Sequence, residues 1–550
     1  MRIRKIHYYN TFAKQFEALP AEIKRKVLKK ELILKENPFH PSLRLYKLRG
    51  RLDGAWSISV DMKYRLIFTV IDKESVLFHS VGVHAIYDDL GSNQNLSRFL
   101  AGCGSIFAQL YCVLFMKNFL KKIVLLVLKR LAIDRMKKFK GKVVAVTGSA
   151  GKTSTKDAIF AVLNTQFKVR KNDKSMNSEF GLLLTILDIP SGFSSALTWS
   201  WLLLKAAFNS LFRDYSEILL LEYGVDKPND MDFLTSVAKP DVAIMTNIYP
   251  VHLDEGQFEN IEAIFSEKSK IAHALKANGK LILNTDTPLL YDFAKNFPKK
   301  GVITFGKNEE ADYLISSPKT SLEGVNFMIT HHDIKMQVSA PVVGGYQSYV
   351  LTPAIICADL FGIPLQNALN TLTKFRLPPG RMNVIEGING STILDGSYNA
   401  SPEVVKEALK VLKDLGKEVD TGLAKGEKPH RRIAVLGNMN ELGDDAKTLH
   451  EMIGAETKES ADMLITVGGN AKLIGEIALG KGMDEKSVFY FNTALEAADF
   501  FKKKIEKEDI ILVKGSQNNV RLEKFVKEIM AHPEDSKKLL VRQEKVWEKL

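Results

Sequence analysis

The stretch VVAVTGSAGKTSTK, residues 143–156, decides how the rest of the chain is read. Val143 to Val146 are apolar β-formers and predict a short buried strand. Thr147-Gly148-Ser149-Ala150-Gly151 is a turn of small residues, and Lys152, Thr153, Ser154 and Thr155 open a helix expected to run to about Leu163. Strand, glycine loop and helix in that order form a phosphate cradle. Loop and helix N-terminal N–H groups face the anion, and the helix dipole adds partial positive charge. The pattern assigns Gly148, Ser149, Ala150, Gly151, Lys152, Thr153 and Ser154 to nucleotide phosphates. Lys152 would meet the β and γ phosphates, and the Thr153 hydroxyl would sit on Mg²⁺. The generic P-loop has four residues between its first glycine and the Gly-Lys pair. Here two residues separate Gly148 from Gly151, so the loop is of a shorter kind.

Working outward, 550 residues predict about three domains. A hydrophobic share of 45% with 26% charged residues is that of a globular protein and excludes disordered or fibrous classes. Three cysteines, Cys103, Cys112 and Cys357, give neither a disulfide framework nor a metal spacing, which points to a reducing cytosol. The charged run after Met1 is not a cleavable signal peptide. Charge is uneven: residues 1–142 hold 28 Lys and Arg against 11 Asp and Glu, a net +17, which leaves −4 for the rest of a chain whose total is +13. The basic character therefore belongs to the first quarter.

Residues 1–90 read as a small α+β unit. MRIRKIHYY predicts a strand, Phe12–Leu19 and Ala21–Lys35 predict helices broken at Pro20, and Leu43–Leu48, Ala55–Val60, Tyr64–Ile71 and Ser75–Val81 predict strands. LRLYKLRGRLDGAWSISV, KYRLIF and VGVHAIYDDL resemble the RelE/ParE toxin superfamily, its YafQ-like ribonucleases above all. That resemblance implies Lys47, Arg49 and Arg65 as RNA phosphate contacts on the ribosome, and His84 and Tyr87 as an acid/base pair. Tyr46 stands where many relatives have His. An inactive domain kept for binding or folding is the other reading of the same residues.

Residues 91–140 read as a connector in which apolar runs alternate with Lys117, Lys121, Lys122, Lys129 and Arg130. No stretch is apolar for the eighteen residues that a membrane span needs. The composition of residues 105–140 suits a basic amphipathic helix on the inner, anionic face of a membrane, or a helix packed on the body. LTWSWLLLKAAFNSLF, residues 197–212, adds weight to membrane proximity.

From residue 141 onward strands and helices alternate, predicting a largely parallel sheet with ligands at the carboxyl ends of its strands. Glu222, His252 and Asn284 fall at such ends, and Lys268 lies on a helix between them. TGSAGKT, LLEYGVDKPND, TNIYPVHLDE, EKSKI and NGKLILNTD, followed by GRMNVIEG, ILDGSYNASP, RRIAVLGNMNELGDDAKTLH and DIILVKGS, resemble the Mur ligases in order, the MurF group above all. The DNPR motif of diaminopimelate-adding relatives is absent.

The resemblance implies a P-loop Mur ligase central domain over 141–378 and a Rossmann-like C-terminal domain over 379–550. It also implies ATP-dependent amide formation through an acyl phosphate, with a peptidoglycan precursor and a dipeptide amine such as D-Ala-D-Ala as substrates. On it, Thr153 and Glu222 hold a first Mg²⁺, His252 and a carbamylated Lys268 belong to a second, and Asn284 contacts adenine. Arg381 and Asp395 reach the nucleotide only when the domains close. His450 reads as structural, and Lys514 as either packing or carboxylate binding. Tyr346-Gln347, Gly396, Asn438 and Gln517 depart from the family pattern, which weakens the carry-over of peptide contacts. Nothing in residues 1–140 resembles the uridine-nucleotide domain with which the MurF group begins. Two rivals remain: a polyglutamate-synthetase-like ligase with another acceptor, and an mRNA-cleaving toxin with a ligase-like carrier.

Overall fold

The computed structural model describes residues 3–83, 121–544 and 547, except 39, 49–54, 62, 73, 174–175, 191–195, 255, 299–300, 422, 424–427 and 517–519. The expectations for Arg49, His84, Tyr87, Cys103, Cys112, Gln517 and the segment 105–120 therefore lie outside the described residues. The chain forms two units, Met1–Leu126 and Val127–Leu550.

In the first unit Pro20 ends one helix, Asn10–Ala18, and precedes the next, Ala21–Glu36, as its missing N–H dictates. Strands β1 (Lys5–Tyr8), β2 (Tyr46–Lys47), β3 (Trp56–Ser59), β4 (Tyr64–Val70) and β5 (Ser75–Val83) form one sheet in the order β1-β5-β4-β3-β2. β1 joins β5 in parallel and the other pairs are antiparallel. Phe12, Val27, Leu34, Phe68 and Phe78 fill the space between sheet and helices. The predicted α+β layout is present, with β2 shorter than the run Leu43–Leu48 because Pro41–Leu43 is a 3₁₀ turn. Arg65 turns inward: its Nη1 donates to the carbonyls of Asp61 (2.7 Å) and Tyr64 (3.0 Å). Lys47 is half-buried on β2.

The second unit holds two sheets. β6 (Lys142–Thr147), β7 (Val169–Lys171), β8 (Ile218–Glu222), β9 (Val242–Met245), β10 (Lys280–Asn284), β11 (Val302–Gly306), β12 (Tyr313–Ser321), β13 (Gly324–His331) and β14 (Ile334–Ala340) are ordered β14-β13-β12-β11-β10-β9-β6-β8-β7. The run β7 to β12 is parallel, and β12-β13-β14 is an antiparallel meander at the edge. Val143, Val144, Ala145 and Val146 are wholly buried, as a central parallel strand covered on both faces requires. The helix Lys152–Leu163 packs on the helix Gln347–Leu360, which is apolar on all sides and buried accordingly.

β15 (Asn383–Glu386), β16 (Thr392–Gly396), β17 (Arg432–Gly437), β18 (Met463–Val467), β19 (Val488–Phe491) and β20 (Ile510–Lys514) make the second sheet, ordered β15-β16-β20-β17-β18-β19. Only β15 is antiparallel there. The amphipathic helix Pro402–Asp420 lays Val405, Leu409 and Leu412 against this sheet.

Candidate active site

The glycine loop joins β6 to the helix Lys152–Leu163, and its shape comes from two glycines. Gly148 has φ +144°, and a Cβ there would stand 2.0 Å from Thr246 Oγ1. Gly151 has φ +77° and begins the helix without a side-chain cap. The first-turn N–H groups that follow are left for an anion.

The loop itself is tied down, and two of its N–H groups are engaged within the fold. Ser149 N–H donates to Asn247 O (2.9 Å) and Ala150 N–H to Asn247 Oδ1 (2.7 Å). Thr246 Oγ1 donates to Ala150 O at 2.7 Å. Residues just past β9 therefore hold the loop. Lys152 Nζ lies back across the loop, on the carbonyls of Gly148 (2.8 Å) and Ser149 (3.3 Å). Burial lowers its pKa, opposed by Glu222 and Asp226, while Arg381 adds to the lowering.

Glu222 ends β8 fully buried. Thr153 Oγ1 donates to its Oε2 at 2.8 Å, and Asn177 Nδ2 donates to its Oε1 at 3.1 Å. Lys156 Nζ lies 3.6 Å from Oε2 and donates to Asn172 O at 2.7 Å. Asn172 in turn receives the Glu222 N–H (2.9 Å). Sequence reading did not single out Lys156, Asn172 or Asn177; their signal was a cation in the helix's first turns and two asparagines near its following strand.

Lys268 is wholly buried on the helix Ile261–His273, and its Nζ donates to Val225 O at 3.0 Å. Burial, with the charge of Lys152 next in weight, lowers its pKa to about 7. His252 has φ 59°. Its Nδ1 meets Glu441 Oε2 and its Nε2 lies 3.4 Å from Asp226 Oδ1. The His252–Glu441 contact links the two sheets' loops, together with Leu253 N–H to Glu441 O (3.0 Å) and Gly443 N–H to Asp254 Oδ1 (3.1 Å). Neither Asp226 nor Glu441 stood out in the sequence.

The remaining predicted residues are placed unevenly. Asn284 ends β10, but its Nδ2 donates to Thr246 O (2.8 Å) and its Oδ1 accepts from Asp286 N–H (3.0 Å), so its amide braces the β9 end. Arg381 stacks over the Tyr398 ring at 4.1 Å. Asp395 is wholly buried on β16, with Oδ1 accepting from Ser397 N–H (3.0 Å) and Oδ2 unpartnered. Burial raises its pKa to about 6. Buried in this way, Asp395 braces the turn at Ser397. Lys514 packs inward, donating to Gly396 O (3.1 Å) and Asn399 O (2.8 Å). His450 accepts from Met439 N–H at Nε2 (3.1 Å) and meets Ala446 O at Nδ1 (2.6 Å), the bonding of a neutral structural histidine.

Does this arrangement fit ATP and Mg²⁺? An uncapped helix N-terminus and a buried Thr153–Glu222 oxygen pair fit a phosphate-bound hard cation. Among the described residues no group of three or more His, Cys, Asp and Glu stands ready to hold a metal alone.

Residues 146–358 match the Mur ligase middle domain, and residues 380–517 match the Mur ligase glutamate ligase domain. A UDP-N-acetylmuramoyl-tripeptide–D-alanyl-D-alanine ligase of Bacillus subtilis (strain 168) is 30% identical over 407 residues, which are 74% of this chain and 79% of the relative. The structure of MurF ligase from Thermotoga maritima in complex with ADP superposes with a TM-score of 0.60 at 25% identity, covering 75% of this chain and 84% of that one. MurF from Acinetobacter baumannii shares the fold at a TM-score of 0.60 and 22% identity, over 73% and 79% of the two chains. The chain belongs to the Mur ligase family, as an ATP-dependent amide ligase of the MurF type.

Proposed function

We propose that the chain extends a peptidoglycan precursor: it activates the terminal carboxylate of a UDP-N-acetylmuramoyl-tripeptide and joins it to the amine of D-alanyl-D-alanine, the substrates its relatives are named for. The carrying observation is the convergence of Lys152, Thr153, Glu222 and Lys268 at the carboxyl ends of parallel strands. A carboxylate oxygen attacks the γ-phosphorus and ADP departs. The amine then attacks the acyl carbon, phosphate leaves and a proton is lost. Lys152 neutralises charge on the transferred phosphoryl group once it leaves the loop carbonyls. Thr153 and Glu222 would hold Mg²⁺, with His252 and Lys268 toward a second ion, and the metal supplies charge neutralisation on the phosphate oxygens.

Lys268 is suited to carbamylation. With its pKa lowered to about 7, much of it is the neutral amine that adds to CO₂, forming an N–C bond with loss of a proton. Arg381 lies near enough to act on the charge of Lys152, which supports a nucleotide role in the closed arrangement. Asn284 would meet adenine only by exchanging a backbone partner. We take 141–378 and 379–550 as the two catalytic domains, and the cytoplasm as the place of action.

The test is phosphate release by the purified full chain with each acceptor and amine, omitting one at a time. Release that needs both the tripeptide precursor and D-Ala-D-Ala supports the reading. Release that instead follows a folate or a glutamate acceptor replaces it with the polyglutamate alternative.

The family matches begin at residue 146, and the RelE-like reading of residues 1–90 draws nothing from them. What supports it is the α+β layout and the sequence resemblance. Of its proposed RNA contacts, Lys47 and Arg65 are described, and Arg65 is engaged by its own loop. Expression of residues 1–95 tests this part: growth arrest abolished by changing His84 and Tyr87 supports an RNA-cleaving unit.

A further inference from the structure

The helix Ala196–Leu211 leaves one side uncovered. Leu202, Ala206 and Ser210, spaced by four, form its buried stripe. Lys138 fastens its end, Nζ donating to the carbonyls of Ser210 (2.9 Å) and Leu211 (3.0 Å). On the opposite side Trp201, Leu204, Phe208 and Leu211, continued by Phe212 and Tyr215, are each more than half exposed. Such side chains at helical spacing belong to a core-facing stripe, yet nothing in the second unit covers them among the described residues.

The charge around this face is of one sign. Between Asp188 and Asp214 the sequence holds no Asp or Glu, but it holds Lys205 and Arg213. Lys205 Nζ lies 5.6 Å from the Trp201 ring centre, and Arg213 lies 6.0 Å from that of Tyr215. The bracketing carboxylates are each paired with cations: Asp188 with Arg170 (2.6 Å), and Asp214 with Arg170 (3.2 Å) and Arg135 (3.3 Å). A second copy would bring cation against cation on this face. An apolar face with Trp and Tyr among it, carrying only cations, is complementary to the headgroup boundary of an anionic bilayer. No helix among the described residues is long and apolar enough to cross a membrane, so the contact is peripheral.

We propose that this helix face, from Trp201 to Tyr215, docks the protein on an anionic phospholipid surface. The apolar side chains enter the headgroup–acyl boundary, and Lys205 and Arg213 meet lipid phosphates. The inference stands apart from the amide-ligase reading, since none of these residues belongs to the nucleotide site.

The experiment is co-flotation of the full chain with vesicles of phosphatidylcholine alone or with roughly a third phosphatidylglycerol. Two cations at the surface predict binding to the anionic vesicles roughly thirty-fold tighter than to neutral ones, and weakened by salt. The double variant W201S/F208S changes only exposed positions and should lose at least about ten-fold in vesicle binding while binding ATP as before. Failure to float with anionic vesicles overturns the proposal. So does undiminished binding by the double variant, which would assign the lipid contact to the basic first quarter. A wild-type dimer that the double variant makes monomeric also overturns it, since the face would then be a protein interface.

Discussion

Lys156 and Glu222 form a buried pair whose removal tests the logic of the site. Both side chains are almost wholly buried, with Nζ 3.6 Å from Oε2. At that distance and an effective dielectric of about 20, their attraction is roughly 5 kcal/mol, before the cost of taking both ions out of water. Glu222 keeps two other donors, Thr153 and Asn177, and Lys156 keeps the Asn172 carbonyl. Those contacts hold the geometry but do not balance charge. Lys156→Met should therefore destabilise the protein by about 3 kcal/mol, at the low end for a broken buried pair. Glu222→Gln should cost about as much, because it leaves a buried ammonium. The double variant should recover at least about 1.5 kcal/mol relative to the sum, since two neutral groups replace the pair. Urea unfolding of the four proteins without nucleotide, followed by circular dichroism, measures this cycle. Effects that add to within about 0.5 kcal/mol would mean that the pair is uncoupled.

Three other outcomes follow from the site. Lys152→Ala should cut ATP-dependent phosphate release by at least about a hundred-fold, because it removes the charge proposed to leave the loop carbonyls and neutralise the transferred phosphoryl group; steady-state assays check this. Lys268 binds a proton less readily folded than unfolded, so stability should rise as pH goes from about 7 toward 10, and Lys268→Met should flatten that rise and be the more stable protein at pH 7 while losing activity; melting curves at pH 7 and 9 decide. Glu441→Ala removes the partner of His252 at a half-exposed junction, so it should weaken kcat/KM only a few-fold, by no more than about 1 kcal/mol, with ATP affinity little changed.

The parts of the fold set by local rules were readable from the sequence. An apolar run before Thr147-Gly148, a glycine pair and a lysine predict strand, loop and helix, and the helix ends at Leu163 as expected. Glu222 and Asn284 are the last residues of their strands, which alternation alone could place. The antiparallel meander Tyr313–Ala340 was not read, because an edge hairpin on a parallel sheet carries no signal in the βαβ alternation. Side-chain partnerships were not readable either. Whether Ser149 N–H faces phosphate or Asn247 depends on residues about a hundred positions apart, and the same holds for Lys268, whose depressed pKa comes from burial that helix periodicity does not quantify.

These misses share a cause that bears on the mechanism. Lys152 and Thr153 open the helix after β6 and Glu222 ends β8, yet the charges acting on Lys152 include Arg381 and Glu441 from beyond the first of the second unit's two sheets. Glu441 is held by His252, and both take positive φ, 61° and 59°, so each loop is bent toward the other at a conformational cost. A site that needed only to bind ATP would have no use for that contact. On the proposed chemistry, a site that must gather an acyl phosphate and an amine does, since Arg381 and Glu441 add their charges to that of Lys152. We propose the His252–Glu441 junction, half-exposed and therefore of modest strength, as the place where closure of the second sheet's loops on the first is sensed.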